Sequence, residues 1–120
     1  MKRILFLTLL IVVTTACFAQ KNYTLEAKHG VVKDNYDFWV STPYYFKETD
    51  DKMPLVVFLH GKSLCGRDLN KVKKYGTIAA VERGLELDAV CLAPQNPGGA
   101  WNPDKLVKLL DYMERYYRVD

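Results

Sequence analysis

Pro54-Leu-Val-Val-Phe-Leu-His-Gly61 sets five consecutive apolar residues, rich in β-branched and aromatic side chains, against an abrupt His-Gly stop. Such a run predicts a strand buried on both faces of a parallel sheet. The glycine at its carboxyl end lets the chain turn sharply and brings main-chain N–H groups into the open. Ligands of open α/β sheets gather at the carboxyl ends of strands, so chemistry is expected around residues 60–62.

Working outward, the residues before this strand predict an antiparallel opening pair. Tyr23 to Lys28 alternates weakly, His29-Gly30 marks a turn, and Asn35 to Thr42 is aromatic-rich and stops at Pro43. Lys47 to Lys52 is a charged connection. Beyond the strand, Gly61 to Arg67 reads as a loop, and a helix is predicted from about Asp68 to Arg83, ended by Gly84. Its apolar side is Leu69, Val72, Gly76, Ala79 and Ala80. Asp88 to Ala93, closed by Pro94, predicts a second short apolar strand, and Gln95-Asn-Pro-Gly-Gly-Ala100 a loop. Asn102 is an N-cap with Pro103 in the first helical position. The helix that follows carries Leu106, Leu109, Leu110, Met113 and Tyr117 on one face. Strand, helix, strand, helix calls for a parallel α/β arrangement.

The beginning of the chain has a different character. Met1-Lys2-Arg3 is a basic head, Ile4 to Val13 an apolar core, and Thr14 to Ala19 a small-residue stretch, which is the layout of a secretory signal peptide over residues 1–19. The apolar run is shorter than the roughly 20 residues a membrane-spanning helix needs. Cleavage after Ala19 would export residues 20–120 as periplasmic or secreted protein. The alternative is a lipoprotein anchored through Cys17, the one route by which a membrane would become a partner; its −3 position holds Thr14 where leucine is usual.

Removing Lys2 and Arg3 from the 17 basic residues leaves 15 against 14 acidic ones, so most of the formal charge of +3 belongs to the leader. No basic stripe interleaved with aromatics is present, and nucleic acid is not expected as a partner. Of the two remaining cysteines, Cys91 sits in an apolar strand and Cys65 in a loop. They read as free thiols without metal-ligand spacing.

Three segments form a series: Leu55-Val-Val-Phe-Leu-His-Gly-Lys-Ser-Leu-Cys-Gly-Arg-Asp68, then Cys91-Leu-Ala-Pro-Gln95, then Trp101-Asn-Pro-Asp104 and its helix. Over residues 36–120 this series resembles the N-terminal half of an α/β-hydrolase of the secreted esterase, phospholipase/carboxylesterase and "predicted peptidase" group. The resemblance implies a three-layer α/β sheet that is incomplete, with antiparallel opening strands and then parallel strands with crossover helices. It implies a hydrolase of carboxylic esters, less so of peptides, that works through an acyl-enzyme on a small-molecule ester and uses no cofactor or metal. One oxyanion-hole donor would be the backbone N–H of Lys62, with Gly61 allowing close approach. His60 would brace the loop. Trp101 would either wall the cleft or pack against the following helix. The resemblance also implies that Leu55–His60 lies between Ala89–Ala93 and a strand following Asp120, with the Gly-x-Ser-x-Gly nucleophile turn, the acid and the catalytic histidine all beyond this chain.

Other motifs point elsewhere and fall short. Ser63, His60 and Asp68 are close in sequence, but a triad needs its base oriented between nucleophile and acid, which one sharp turn disfavours. Gly61-Lys62-Ser63 suggests a phosphate loop, yet Val56 stands where that motif needs glycine. Gln95 and Asn96 are expected as solvated loop polars, Tyr112, Tyr116 and Tyr117 as a helix face, and Arg67 and Asp68 as shapers of their loop. An exported binding module holding a sugar or peptide at the Trp101 loop is the non-enzymatic alternative.

Overall fold

A computed structural model describes residues 21–120; the signal-peptide and Cys17 expectations fall outside them, as does Gln20. Four strands form one mixed sheet: β1 (Tyr23–Lys28), β2 (Phe38–Pro43), β3 (Leu55–Val57) and β4 (Val90–Pro94). Their order across the sheet is β1-β2-β4-β3. The opening pair is antiparallel, with Tyr23 opposite Pro43 and Lys28 opposite Phe38. β2 runs antiparallel to β4, and β3 runs parallel to β4 with Leu55 opposite Val90. Helix α1 (Gly76–Glu82) lies between β3 and β4 in the chain, and α2 (Pro103–Tyr116) follows β4. The α/β character expected from the sequence is therefore present. Among the described residues, no helix is long and apolar enough to cross a membrane.

The two-residue period of the central strands builds a core on each side of the sheet. Phe38, Val40, Val90 and Leu92 point to one face, where Leu109 and Met113 of α2 close over them. Trp39, Cys91 and Ala93 point to the other and meet Leu69, Val72 and Ile78. Each such side chain taken fully out of water contributes about 1.5–3 kcal/mol. Helix α2 begins as the sequence indicates: Asn102 Oδ1 accepts from the N–H groups of Asp104 (2.9 Å) and Lys105 (3.3 Å), with Pro103 next. Leu110, expected on its inner face, is exposed.

Two expectations are corrected. The segment Asp68 to Arg83 is not one helix. Leu69–Lys74 winds as a 3₁₀ helix, with Asp68 Oδ1 accepting from Asn70 N–H (3.0 Å), and α1 starts only after a break at Tyr75 and Gly76. Gly76 has φ +78° and lies under the ring of Phe58, so the chain steps aside there before it resumes. The end of α1 does follow expectation: Leu85 N–H donates to Ala80 O (2.9 Å) and Gly84 N–H to Val81 O (3.1 Å), the paired closure of a glycine-capped helix.

The second correction concerns the defining strand. It is shorter than expected, β3 ending at Val57 and not at His60, and it is not buried on both faces; Val57 is 38% exposed and Leu59, just beyond it, 41%. The cause is its position. β4 pairs with it on one side, and on the other the single contact is a parallel bridge between Met53 and Val119. There Met53 N–H donates to Arg118 O (3.0 Å) and Asp120 N–H to Met53 O (2.9 Å). The strands buried throughout are β2 and β4.

The two edges of the sheet differ in how they meet water. β1 carries Glu26 and Lys28, whose side chains pair at 2.9 Å, and such charges discourage edge-to-edge association. β3 carries none. Residues 21–120 expressed alone are therefore expected to self-associate through β3, and Val57→Lys to suppress this at a cost of no more than about 0.5 kcal/mol, as for an exposed substitution. Sedimentation velocity checks it; a monodisperse monomer of the unsubstituted protein at high concentration would refute it.

Candidate functional site

The turn at the carboxyl end of β3 is held by a buried histidine. His60 is 3% exposed. Its Nε2 accepts from the N–H of Asn96 (2.9 Å), and its Nδ1 donates to the carbonyl of Gly61 (2.7 Å). A main-chain N–H requires an acceptor and a carbonyl a donor, so together they fix one neutral tautomer. His60 thus braces the turn, and no nitrogen is left to serve as a base for Ser63.

Asn96 and Gln95 extend this frame. They are 2% and 3% exposed, not solvated as the sequence suggested. Gln95 Nε2 donates to the carbonyls of Leu64 (3.1 Å) and Asp68 (2.8 Å), and its own N–H donates to Asp37 O (2.8 Å). The carbonyl of Asn96 accepts from Gly66 N–H (3.2 Å). Its side chain closes the 96–99 turn, donating to Gly99 O (2.9 Å) and accepting from Gly98 N–H (3.1 Å). The loop after β3 and the loop after β4 are therefore stitched into one unit. An unmade hydrogen bond at such a buried polar group costs about 1–3 kcal/mol, which keeps the unit rigid.

A cleft of about 420 Å³ opens between the two loops, lined by His60, Gly61, Lys62, Cys65, Asn96 and Trp101. Trp101, left open by the sequence between walling the cleft and packing on the following helix, lines the cleft and packs on His60 and Tyr36. Its ring meets His60 edge-on at 5.0 Å and Tyr36 at 5.1 Å, and its Nε1 donates to the carbonyl of His60 (3.3 Å). Tyr36 was not singled out by the sequence. Its hydroxyl accepts from the N–H of Asn102 (2.9 Å), which anchors the start of α2 behind the cleft.

Lys62 opens a short 3₁₀ turn, Lys62–Leu64, after Gly61 at φ −84°, ψ −176°. Leu64 N–H donates to Gly61 O and Cys65 N–H to Lys62 O, both at 3.2 Å. As the first residue of that turn, Lys62 has no partner within it for its own N–H. Among the described residues none is supplied from elsewhere. Gly61 is not needed for its dihedrals, which any residue adopts; a methyl group added there would meet nothing within 4 Å. What the glycine leaves is open space at the cleft.

The other chemical candidates do not converge. Asp68 is engaged as a helix cap, and Ser63 is exposed with its neighbouring imidazole fully committed. Among the described residues Cys65 and Cys91 are free, and burial pushes the Cys91 thiol up, away from reactive thiolate. A wider hollow of about 830 Å³ lies elsewhere, beneath Val31–Lys33 and the outer side of α2, with charged residues such as Lys108, Asp111 and Arg115 along it. It has none of the locked main chain that marks the cleft after β3. No known protein-family model matches this sequence, and no curated protein matches it either.

Proposed function

We propose that the chain is the N-terminal part of an exported serine hydrolase of the α/β-hydrolase fold, acting on carboxylic esters through an acyl-enzyme. The observation that carries this is the unengaged N–H of Lys62, at the carboxyl end of a parallel strand, in a turn locked by His60. In acyl transfer a serine oxygen adds to the ester carbonyl, its proton passes to a base, and the carbonyl oxygen takes up negative charge before the alcohol leaves. A fixed N–H that needs no reorganisation stabilises that charge by several kcal/mol. The rigid frame of Gln95, Asn96 and His60 supplies the fixity, and Trp101 an apolar wall.

The order β1-β2-β4-β3, with β2 antiparallel and β3 parallel to β4, supports the fold assignment. The Met53–Val119 bridge supports a further parallel strand beside β3, which would bring the nucleophile turn to the same end of the sheet. Serine, acid and histidine of the triad belong to that further polypeptide. The signal-peptide pattern of residues 1–19 supports export.

A fluorophosphonate probe tests the proposal. It is expected to label the intact gene product at a serine outside residues 1–120 and to leave the 120-residue chain unlabelled. Labelling at Ser63, or no labelling of the intact product, would overturn it.

A further inference from the structure

Beside the cleft lies a second hollow of about 240 Å³, lined by Tyr36, whose ring meets the cleft's Trp101 at 5.1 Å. Sequence neighbours line the two: Cys65 lines the cleft and Gly66 the second hollow, as do Asn96 and Gln95 respectively. The second hollow differs in charge. Arg67 and Lys105 line it, and neither has a carboxylate partner among the described residues. Asp37 lines it as well, its carboxylate accepting from His29 Nδ1 (3.1 Å) and Gly30 N–H (2.9 Å), so that one negative charge stands against two positive ones.

Lys105 is positioned through its ammonium, and the main chain just before Arg67 is anchored. Lys105 Nζ stands 5.2 Å over the ring of Tyr36, and the carbonyl of Lys105 accepts from Asn35 Nδ2 (2.8 Å), which ties the first turn of α2 to this wall. Arg67 follows Gly66, whose N–H is bound to Asn96 O. Lys71 adds a third positive charge near by, its Nζ donating to Cys65 O (3.4 Å), and Lys62 a fourth on the cleft itself. Unpaired cations around a small concave space, next to a site of acyl transfer, favour a ligand bearing an oxyanion.

We infer that Arg67 and Lys105 hold a carboxylate on the substrate, so that the ester cleaved is one whose acyl or alcohol part carries a free acid group. The planar guanidinium fork matches a carboxylate in two parallel hydrogen bonds, while the ammonium adds a point charge. This inference of substrate class rests on the hydrolase proposal; the anion site itself does not.

Glutarate serves as the probe for the site, and its neutral dimethyl ester as the control, titrated into the intact gene product by calorimetry. Glutarate is expected to bind, more weakly as salt is raised, and the dimethyl ester not to bind. Lys105→Gln is expected to weaken glutarate binding about tenfold, the loss of one charge-assisted hydrogen bond, and Arg67→Gln, which removes two, by more than that. Arg67 is exposed, so its replacement leaves folding intact, which circular dichroism verifies. Inorganic phosphate is expected to bind more weakly than glutarate. Tighter binding of phosphate, equal binding of glutarate and its dimethyl ester, or wild-type binding by both variants would overturn the inference. Glutarate binding without fluorophosphonate labelling would leave the anion site standing and sink the hydrolase. Ester hydrolysis indifferent to a free acid group on the substrate would do the reverse.

Discussion

Lys62→Pro is expected to lower kcat for ester hydrolysis by the intact protein about 10²–10³-fold while leaving its stability close to the starting value. Removing one oxyanion-hole donor has that effect on acyl transfer, because the lost stabilisation belongs to the transition state and not to bound substrate. KM should therefore move little. Proline suits the position for reasons already visible in the turn. Lys62 is the first residue of a 3₁₀ helix, where a fixed φ near −65° is welcome and no internal hydrogen bond is lost. Gly61 before it is extended, at ψ −176°, as a residue preceding proline must be. The substitution then deletes one N–H and little else. Lys62→Ala is the control, since it removes the ammonium and keeps the N–H. Equal rates for the two variants would mean that the main-chain donor plays no part.

The same turn marks the boundary of what could be read before the structure. Elements whose signal is local were legible. Alternation from Tyr23 to Lys28, the Pro43 and Pro94 stops and the Asn102-Pro103 start each act through their own neighbours, and each stands where expected. Burial of β3 on both faces was the expectation that failed, because five apolar residues look alike whether a second strand flanks them or not; its place beside β4 was implied by the family resemblance and not by its own residues, since sheet order is a non-local property. Gln95 and Asn96 misled for a related reason. Gln-Asn-Pro-Gly-Gly has the composition of a solvated loop, yet the Gln95 side chain is bound by the carbonyls of Leu64 and Asp68 from another loop, and the Asn96 side chain closes its own turn on Gly98 and Gly99. For the site, His60 as a brace and Trp101 at the cleft were legible from their motifs. Tyr36 gave no signal, since an aromatic residue just ahead of a strand has many uses. A polar pair directly after an apolar strand end was the one hint available for the Gln95–Asn96 frame.

The break before α1 yields the other large effect, at a distance from the chemistry. Gly76→Ala is expected to destabilise the protein by about 3 kcal/mol, combining the strain of a non-glycine residue at positive φ with overpacking of a filled site. Both causes are explicit. At φ +78° the alanine Cβ crowds its own backbone, and it would fall 2.4 Å from the Cε1 and Cζ atoms of Phe58. That ring is held in place, packed against the cluster of Trp39, Leu69, Val72 and Ile78, so it cannot simply swing away. A second substitution separates the two causes. Phe58→Ala alone should cost less than the about 3–5 kcal/mol of a fully buried ring, since Phe58 is half-buried. In the Gly76→Ala background it should cost less, because removing the ring also relieves the collision. The difference is the coupling between the two positions, measurable by urea denaturation of all four proteins. If the two losses simply add, Phe58 does not bear on Gly76 and dihedral strain alone explains the glycine. If Gly76→Ala melts with the unsubstituted protein, the break at Tyr75–Gly76 is not imposed by packing, and the sequence-based expectation of one unbroken helix regains its claim.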